Sequence, residues 1–360
     1  MIPQVLRQVA AVVRLEMKKT FLARRGLWIY LLALAPVILY AGHSIVVPRE
    51  QQRLARLAGP NPIPTNELRY VFNGISQAQL FARFGPPLGR PRKWMYRSGP
   101  GERHQREFDI YTDGKSEFTF VFEDGILIRS FHEDPETTAD DSVLFATIFQ
   151  YFDLRLAVFF GCIGIFINLF RGEMLDKSLH YYLLTPMRRE VLASGKFLAG
   201  VIATVVIFTA STAVQFPAML WMFSHAEVSS FMNSGGWHQY MSYLGVTVLA
   251  CVGYGSVFLA VGLFFRNPVV PAAAVLIWES ANIFLPASLK KLSLIYYLEA
   301  LCPVVPPPDK TMPAALQLLI SPPDPASASL AITGILVLTI VFLAAGAWRA
   351  RRLQINYSTE

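Results

Sequence analysis

Long apolar runs alternate with polar breaks along this chain. Six runs reach the roughly 20 residues that a helix needs to cross a hydrocarbon core about 30 Å thick. They are residues 27–47, 151–170, 197–223, 239–265, 268–286 and 328–348. Ahead of the first run, residues 4–21 place Leu6, Val9, Val13 and Met17 at helical spacing, with Arg7, Arg14 and Lys18 elsewhere. That pattern predicts an amphipathic helix along the membrane interface, its apolar face in lipid and its basic face among headgroups.

Between the first two runs the pattern changes. Pro48 is expected to break the first span, and Pro60, Pro62 and Pro64 follow. Ile75 to Phe84 reads as a short helix with Leu80 and Phe81 on its apolar side, ended by Gly85-Pro86-Pro87. Trp94 to Tyr96 and Phe108 to Tyr111 read as strands. Phe118, Phe120 and Phe122 alternate with Thr119 and Val121, which predicts a strand with one face buried. Asp124-Gly125 is a turn signal leading into Ile126 to Phe131, so this pair reads as a hairpin. Residues 48–142 are thus expected to form a small α+β domain outside the membrane, with a core near the lower size limit for independent folding. The order of its pieces resembles the small lipoprotein-type domains of the SmpA/OmlA family. The pieces are Gly74-Ile75-Ser76, Gly85-Pro86-Pro87, Trp94-Met95-Tyr96 and Phe122-Glu123-Asp124-Gly125. The resemblance covers under a fifth of the chain and implies an interaction module rather than chemistry.

Composition supports a membrane protein. The chain is 53% hydrophobic and 16% charged, against about 25% charged in soluble domains. Its net charge is +7, and the placement of the bases carries more information than the sum. Arg7, Arg14, Lys18, Lys19, Arg24 and Arg25 precede the first run. Arg171, Lys177, Arg188, Arg189 and Lys196 lie between the second and third, Arg266 follows the fourth, and Arg349, Arg351 and Arg352 follow the last. The segment 224–238 has no Lys or Arg, and 287–327 has only Lys290, Lys291 and Lys310. The positive-inside rule then predicts cytoplasmic termini, and the membrane is expected to be the inner membrane of a bacterium. The basic N-terminal region is too long, and its apolar run too extended, for a cleaved signal peptide. Asp153 and Arg155 are expected where the second span meets water, after a helical lead-in over 143–152 at the surface. Residues 289–301, within an external helical segment 287–302, carry Leu292, Ile295, Tyr296 and Leu298 on one side, stopped by Pro303 and Pro306 to Pro308. Cys162, Cys251 and Cys302 are scattered, so neither a disulfide frame nor a zinc site is indicated.

The segment 171–196 is longer and more patterned than a connector requires. Leu175, Leu179, Tyr182 and Leu183 line one helical face, while Glu173, Asp176, Lys177 and His180 take the rest. Pro186 ends this helix, and a second begins near Arg189 and continues through Lys196 into the third span. The predicted product is a bent hairpin on the inner face of the membrane. Here the chain resembles the permease subunits of ABC type-2 transporters. The residues that carry the resemblance are Glu173, Lys177, Ser178, Leu179, Tyr182, Leu183, Pro186, Arg188, Arg189, Val191, Leu192 and Gly195-Lys196. The six spans, cytoplasmic termini and basic N-terminal helix agree with that family. The large domain between the first two spans departs from it.

The resemblance implies that Arg171, Glu173, Lys177, Leu179, Leu183, Pro186, Arg188, Arg189 and Lys196 couple the permease to an ATPase. It implies an ABC ATPase dimer as partner, pairing with a second copy or a related permease, and no nucleic-acid partner. ATP and magnesium are expected in the partner, because this chain has no phosphate loop. Gly195-Lys196 is followed by Phe197, and Glu190 stands where the first glycine of that loop belongs. Within the spans, Glu279 falls near mid-membrane with Asn282 on its face, either lining a passage or satisfying each other and a neighbour. Gly253, Gly255 and Gly262, with Ser256, are expected to permit close helix packing, and Gln215 and Pro217 to mark a kink. No HExxH, Gly-x-Ser-x-Gly or paired-carboxylate motif points to an enzyme. The expected fold is an all-α polytopic membrane protein with six transmembrane helices and the α+β domain inserted between the first two. The alternatives are a membrane-anchored sensor or assembly factor acting through 48–142, and an intramembrane enzyme built around Glu279.

Overall fold

A computed structural model of the chain describes residues 2–22, 26–89, 92–99, 102–169, 188–265, 267–307 and 326–352. The chain divides into two compact units, Met1–Ala41 with Thr138–Glu360, and Gly42–Thr137. The first helix, α1, spans Ile2–Leu22, and α2 spans Leu27–Ala58. Pro48 does not end α2 as expected. Residues 49–58 are strong helix formers, Glu50 pairs with Arg53 at i,i+3, and Leu54 is buried, which together offset the lost backbone bond.

The smaller unit continues with α3, Thr65–Arg69, and α4, Gln77–Phe84. Ser76 and Gln79 close a reciprocal capping box at the start of α4, and Gly85, with φ of 80°, ends it. Four strands follow: β1 Arg92–Gly99, β2 Glu102–Thr112, β3 Glu117–Glu123 and β4 Ile126–Glu133. They form an antiparallel meander in sequence order, with Phe108 opposite Val121 and Phe120 opposite Ser130. Asp124 and Gly125 both take positive φ in the β3–β4 turn, the conformation that a tight hairpin turn requires. The alternation read from the sequence holds, since Phe118, Phe120 and Phe122 are all buried. They pack with Leu68, Leu80, Tyr111 and Leu127.

At the β2–β3 turn, Asp113 Oδ1 accepts from the backbone N–H groups of Lys115 and Ser116 at 2.8 and 2.6 Å. Its Oδ2 accepts from the Thr65 hydroxyl at 2.5 Å. Gly114 has φ of 89°, and a Cβ there would lie 3.3 Å from Ala58, so α2 seats on this turn.

In the larger unit, α5 spans Thr138–Ile167, α6 Arg189–Leu220 and α7 His225–Phe264. The helix α8 covers Val269–Phe284, α9 Ala287–Lys290, α10 Leu294–Ala300 and α11 Ala328–Arg351. Among the described residues five helices are long and apolar enough to cross a membrane: α2, α5, α6, α7 and α11. The run expected as a fifth span gives the shorter α8, below the roughly 20 residues of a full crossing. Leu285 is extended before Pro286, which stops the helix there.

Three further expectations change. The helix α5 begins before residue 151 and encloses the supposed surface lead-in, whose Phe145, Ala146 and Phe149 are fully buried. Asp153 lies inside this helix and is 4% exposed, not at a water boundary. The helix expected over 289–301 is broken near Ser293. Its second half, α10, buries Leu294 to Leu298 in the helical core, while Leu292 is exposed. The glycine stripe on α7 does serve packing, for a Cβ on Gly255 would meet the Phe166 ring at 2.5 Å.

Burial pushes the Asp113 carboxyl up, but the Thr65 hydroxyl and the turn N–H groups outweigh it and hold it below its ordinary value. A depressed folded value stabilises above the unfolded carboxylate range, and that stability is lost as pH falls through the folded value. Acidification should therefore lower the protection factors of the Lys115 and Ser116 amides, taken relative to the intrinsic exchange rate at each pH. In Asp113→Asn protection should already be low at neutral pH and should change little with acid.

Candidate functional site

Most of the segment expected to meet an ATPase lies outside the described residues. Arg171, Glu173, Lys177, Leu179, Leu183 and Pro186 fall there. The described remainder is the start of α6. Arg188 is exposed in extended conformation just before the first turn. Arg189 is exposed and its Nη1 donates to the Arg351 carbonyl at 3.3 Å. Arg351 in turn pairs with Glu190. The start of α6 and the end of α11 therefore lie side by side.

Lys196 lies two turns further along α6 and is fully buried. Its Nζ donates to Glu16 Oε1 at 2.7 Å and to the Leu169 carbonyl at 2.8 Å. Glu16, on α1, is 3% exposed. Gly195 makes this approach possible, because a Cβ there would come within 2.8 Å of Val12. One ammonium thus ties α1, the segment just after α5, and the start of α6. Leu169 and Lys196 also flank the 170–187 segment on its two sides. Lys196 is a link between the chain's own helices, with no surface on which another chain could rest. Sequence reading missed Glu16, although it is the sole acid in the first 26 residues and stands one turn after Val12.

Glu279 and Asn282 sit together near the break between α8 and α10. Glu279 Oε2 accepts from Ile295 N–H at 2.8 Å, Ser293 Oγ at 3.0 Å and Tyr254 hydroxyl at 3.2 Å, and Oε1 accepts from Leu294 N–H at 3.1 Å. The carboxylate occupies the first turn of α10, where backbone N–H groups lack helical partners. Asn282 Nδ2 donates to the Lys290 carbonyl at 3.4 Å.

A third polar cluster lies between α2, α5, α6 and α7. Gln215 Nε2 donates to Asp153 Oδ1 at 3.0 Å and to Ser211 Oγ at 2.9 Å, and the Ser211 hydroxyl donates to the Ala33 carbonyl. Thr212 and Thr247 hydroxyls meet at 3.3 Å nearby. An aromatic layer of Tyr40, Phe145, Phe149, Phe216 and Tyr243 covers the cluster, with ring centroids 4.7–6.3 Å apart. Beyond Phe216 an apolar cleft of about 600 Å³ opens among Pro217, Trp221, Phe223, Met232 and Trp237. Arg155 does not join this cluster, as it pairs with Glu299 at 2.5 Å and covers the Tyr151 ring. Gln215 was legible only as a possible kink, and Asp153 only as a boundary marker.

Five apolar helices of spanning length mark the chain as a multi-pass membrane protein. No protein-family model matches it, and no curated protein matches it either.

Removing one partner of a buried ion pair leaves the other charge uncompensated, at a cost of about 3–5 kcal/mol, whereas replacing both is often near neutral. Glu16→Gln and Lys196→Met should therefore each lower the melting temperature of the purified chain clearly. The double variant should recover much of the loss, and a double-mutant cycle measures the coupling.

Proposed function

We propose that this chain is the permease subunit of an ATP-binding cassette exporter. On this reading the segment 171–196 faces the cytoplasm and docks on a separate ATPase dimer that supplies ATP and magnesium. Two permease chains, identical or related, complete the pathway in the inner membrane of a bacterium. The observation that carries the reading is the placement of Lys196. A push on the segment between Leu169 and Lys196 reaches α5, α6 and the basic amphipathic helix α1 at once, through bonds of 2.7 and 2.8 Å. A loose connector has no use for such a tie, and a surface that receives force does. Arg188 and Arg189 are exposed beside it, at the edge of the segment that would dock. Glu279 and Asn282, near the α8–α10 break, are the candidate groups along the pathway, since interrupted helices at membrane depth are tolerated where they are buried or line a cavity.

The test is capture of a P-loop ATPase by the tagged full-length chain from its native membrane. Deletion of residues 173–186 should abolish capture while the five long helices stay folded. Lys196→Met should retain capture but weaken ATP-driven transport, because the docking surface survives and the tie does not. Capture that is unaffected by the deletion, or a segment labelled from the outer side, sinks the reading. Loss of function on removing 60–132, with Glu173 and Pro186 variants intact, would favour the sensor acting through the smaller unit.

A further inference from the structure

Among the buried polar groups of the larger unit, Asp153 and Gln215 are incompletely partnered. Asp153 Oδ2 and Gln215 Oε1 are buried and each lacks a hydrogen-bond partner, although the other ends of the same two groups meet at 3.0 Å. The amide orientation is fixed by its neighbours. The Ser211 hydroxyl gives its proton to the Ala33 carbonyl, so its oxygen only accepts, and the amide nitrogen of Gln215 must face it. Gln215 therefore presents an oxygen, and no N–H, as its free end.

Two acceptors are thus left with no hydrogen to share beside an existing N–H···O bond. A carboxylic acid and a primary amide resolve this arrangement with one added proton. The amide N–H donates to one carboxyl oxygen, and the carboxyl O–H donates back to the amide oxygen, closing a ring of two bonds. An ionised carboxylate with a single donor, deep among apolar side chains, has no comparable compensation.

Among the described residues no cation is bonded to Asp153. Asp153 is bonded by Gln215 on α6, which is itself bonded to Ser211, and Tyr40 on α2 lies within electrostatic reach of Asp153, of Tyr243 on α7 and of Asp141 earlier on α5. None of these is a base that carries positive charge. Arg155 is engaged by Glu299. The hydroxyls of Tyr40 and Tyr243 are themselves buried without partners. Asp153 also stands in a ten-residue stretch of widened helix, Phe149–Val158. Such π-helical turns are rare and recur at functional sites, and an ionisable group at membrane depth is functional by default.

We propose that Asp153 and Gln215 form an intramembrane proton-binding site. The site takes one proton from solvent onto Asp153 Oδ2 and holds it in an acid–amide ring across α5 and α6. Release of the proton leaves two acceptors opposed and unpaired, which loosens the α5–α6 contact at that level. The Tyr40 hydroxyl, within electrostatic reach of Asp153 and itself buried without a partner, is a group able to turn a donor toward the buried oxygen.

The proposal is independent of any ATPase partner and is tested on the full chain alone. Infrared difference spectra of the chain in lipid, with carbon-13 aspartate, should show a protonated-carboxyl band at neutral pH that shifts with the label. The band should vanish in Asp153→Asn, whose amide–amide pair keeps both bonds, and should change frequency in Gln215→Leu, where the ring is lost. A label-sensitive band that disappears reversibly on alkalinisation keeps the test open to the unmutated chain if either variant fails to fold. Absence of any protonated aspartate band in the folded wild type overturns the proposal. Thermal stabilisation by sodium chloride over choline chloride, present in wild type and lost in Asp153→Asn, also overturns it, since the site would then hold a metal cation.

Discussion

Polar atoms within an apolar slab must find partners inside the chain, because lipid offers none. That constraint organises the larger unit at three depths. Near one end, Lys196 is enclosed by Glu16 and the Leu169 carbonyl. At the α8–α10 break, Glu279 takes up four donors from the interrupted backbone and its neighbours. Between α5 and α6, Gln215 bridges Ser211 and Asp153. The apolar side chains then fill what these contacts leave, with Phe166 pressed against Gly200 and Gly255. Dispersion and close fit hold helices together in lipid, where the hydrophobic effect between them is weak. Polar ties of this kind fix which faces meet.

The same constraint explains the break after α8. A continuous helix through Pro286 would lose a backbone bond at that residue and clash with the preceding turn. The chain instead stops, makes the single turn α9 and restarts as α10. The restart exposes two N–H groups, Leu294 and Ile295, and Glu279 is placed to accept both. A carboxylate that looked out of place in an apolar run is thus matched to a helix start fifteen residues later. The geometry accounts for an acid at this position without assigning it a ligand.

Much of the architecture was legible because it rests on periodicity. The long apolar runs became α2, α5, α6, α7 and α11, and the alternation of Phe118, Phe120 and Phe122 became the buried face of β3. Turn chemistry was equally local, as Asp124-Gly125 and Ser76 with Gln79 show. What failed depended on partners distant in sequence. Pro48 reads as a stop, since nothing nearby reveals that Ala58 packs on Gly114. Asp153 reads as a surface marker, because its partner Gln215 stands 62 positions away. Lys196 belonged to a basic cluster until Glu16, 180 positions earlier, enclosed it. A charge that pairs across such a distance looks the same in sequence as a solvated one.

The polar ties also bear on how movement would pass through the fold. The pair α5 and α6 is fastened twice, once through Leu169 and Lys196 and once through Asp153 and Gln215. Two fastenings on one pair of rods resist splaying and leave rotation or tilting of the pair as a unit. If only the Lys196 tie is closed, force applied between residues 169 and 188 separates α5 from α6 at their far ends. If both are closed, the same force is handed on to α1, α7 and α11, which pack along that pair. On the proton-site proposal the second fastening gains its second bond only with a proton, and the first needs none. The occupancy of Asp153 would therefore decide whether a push at one end opens a gap within the pair or turns the pair against its neighbours.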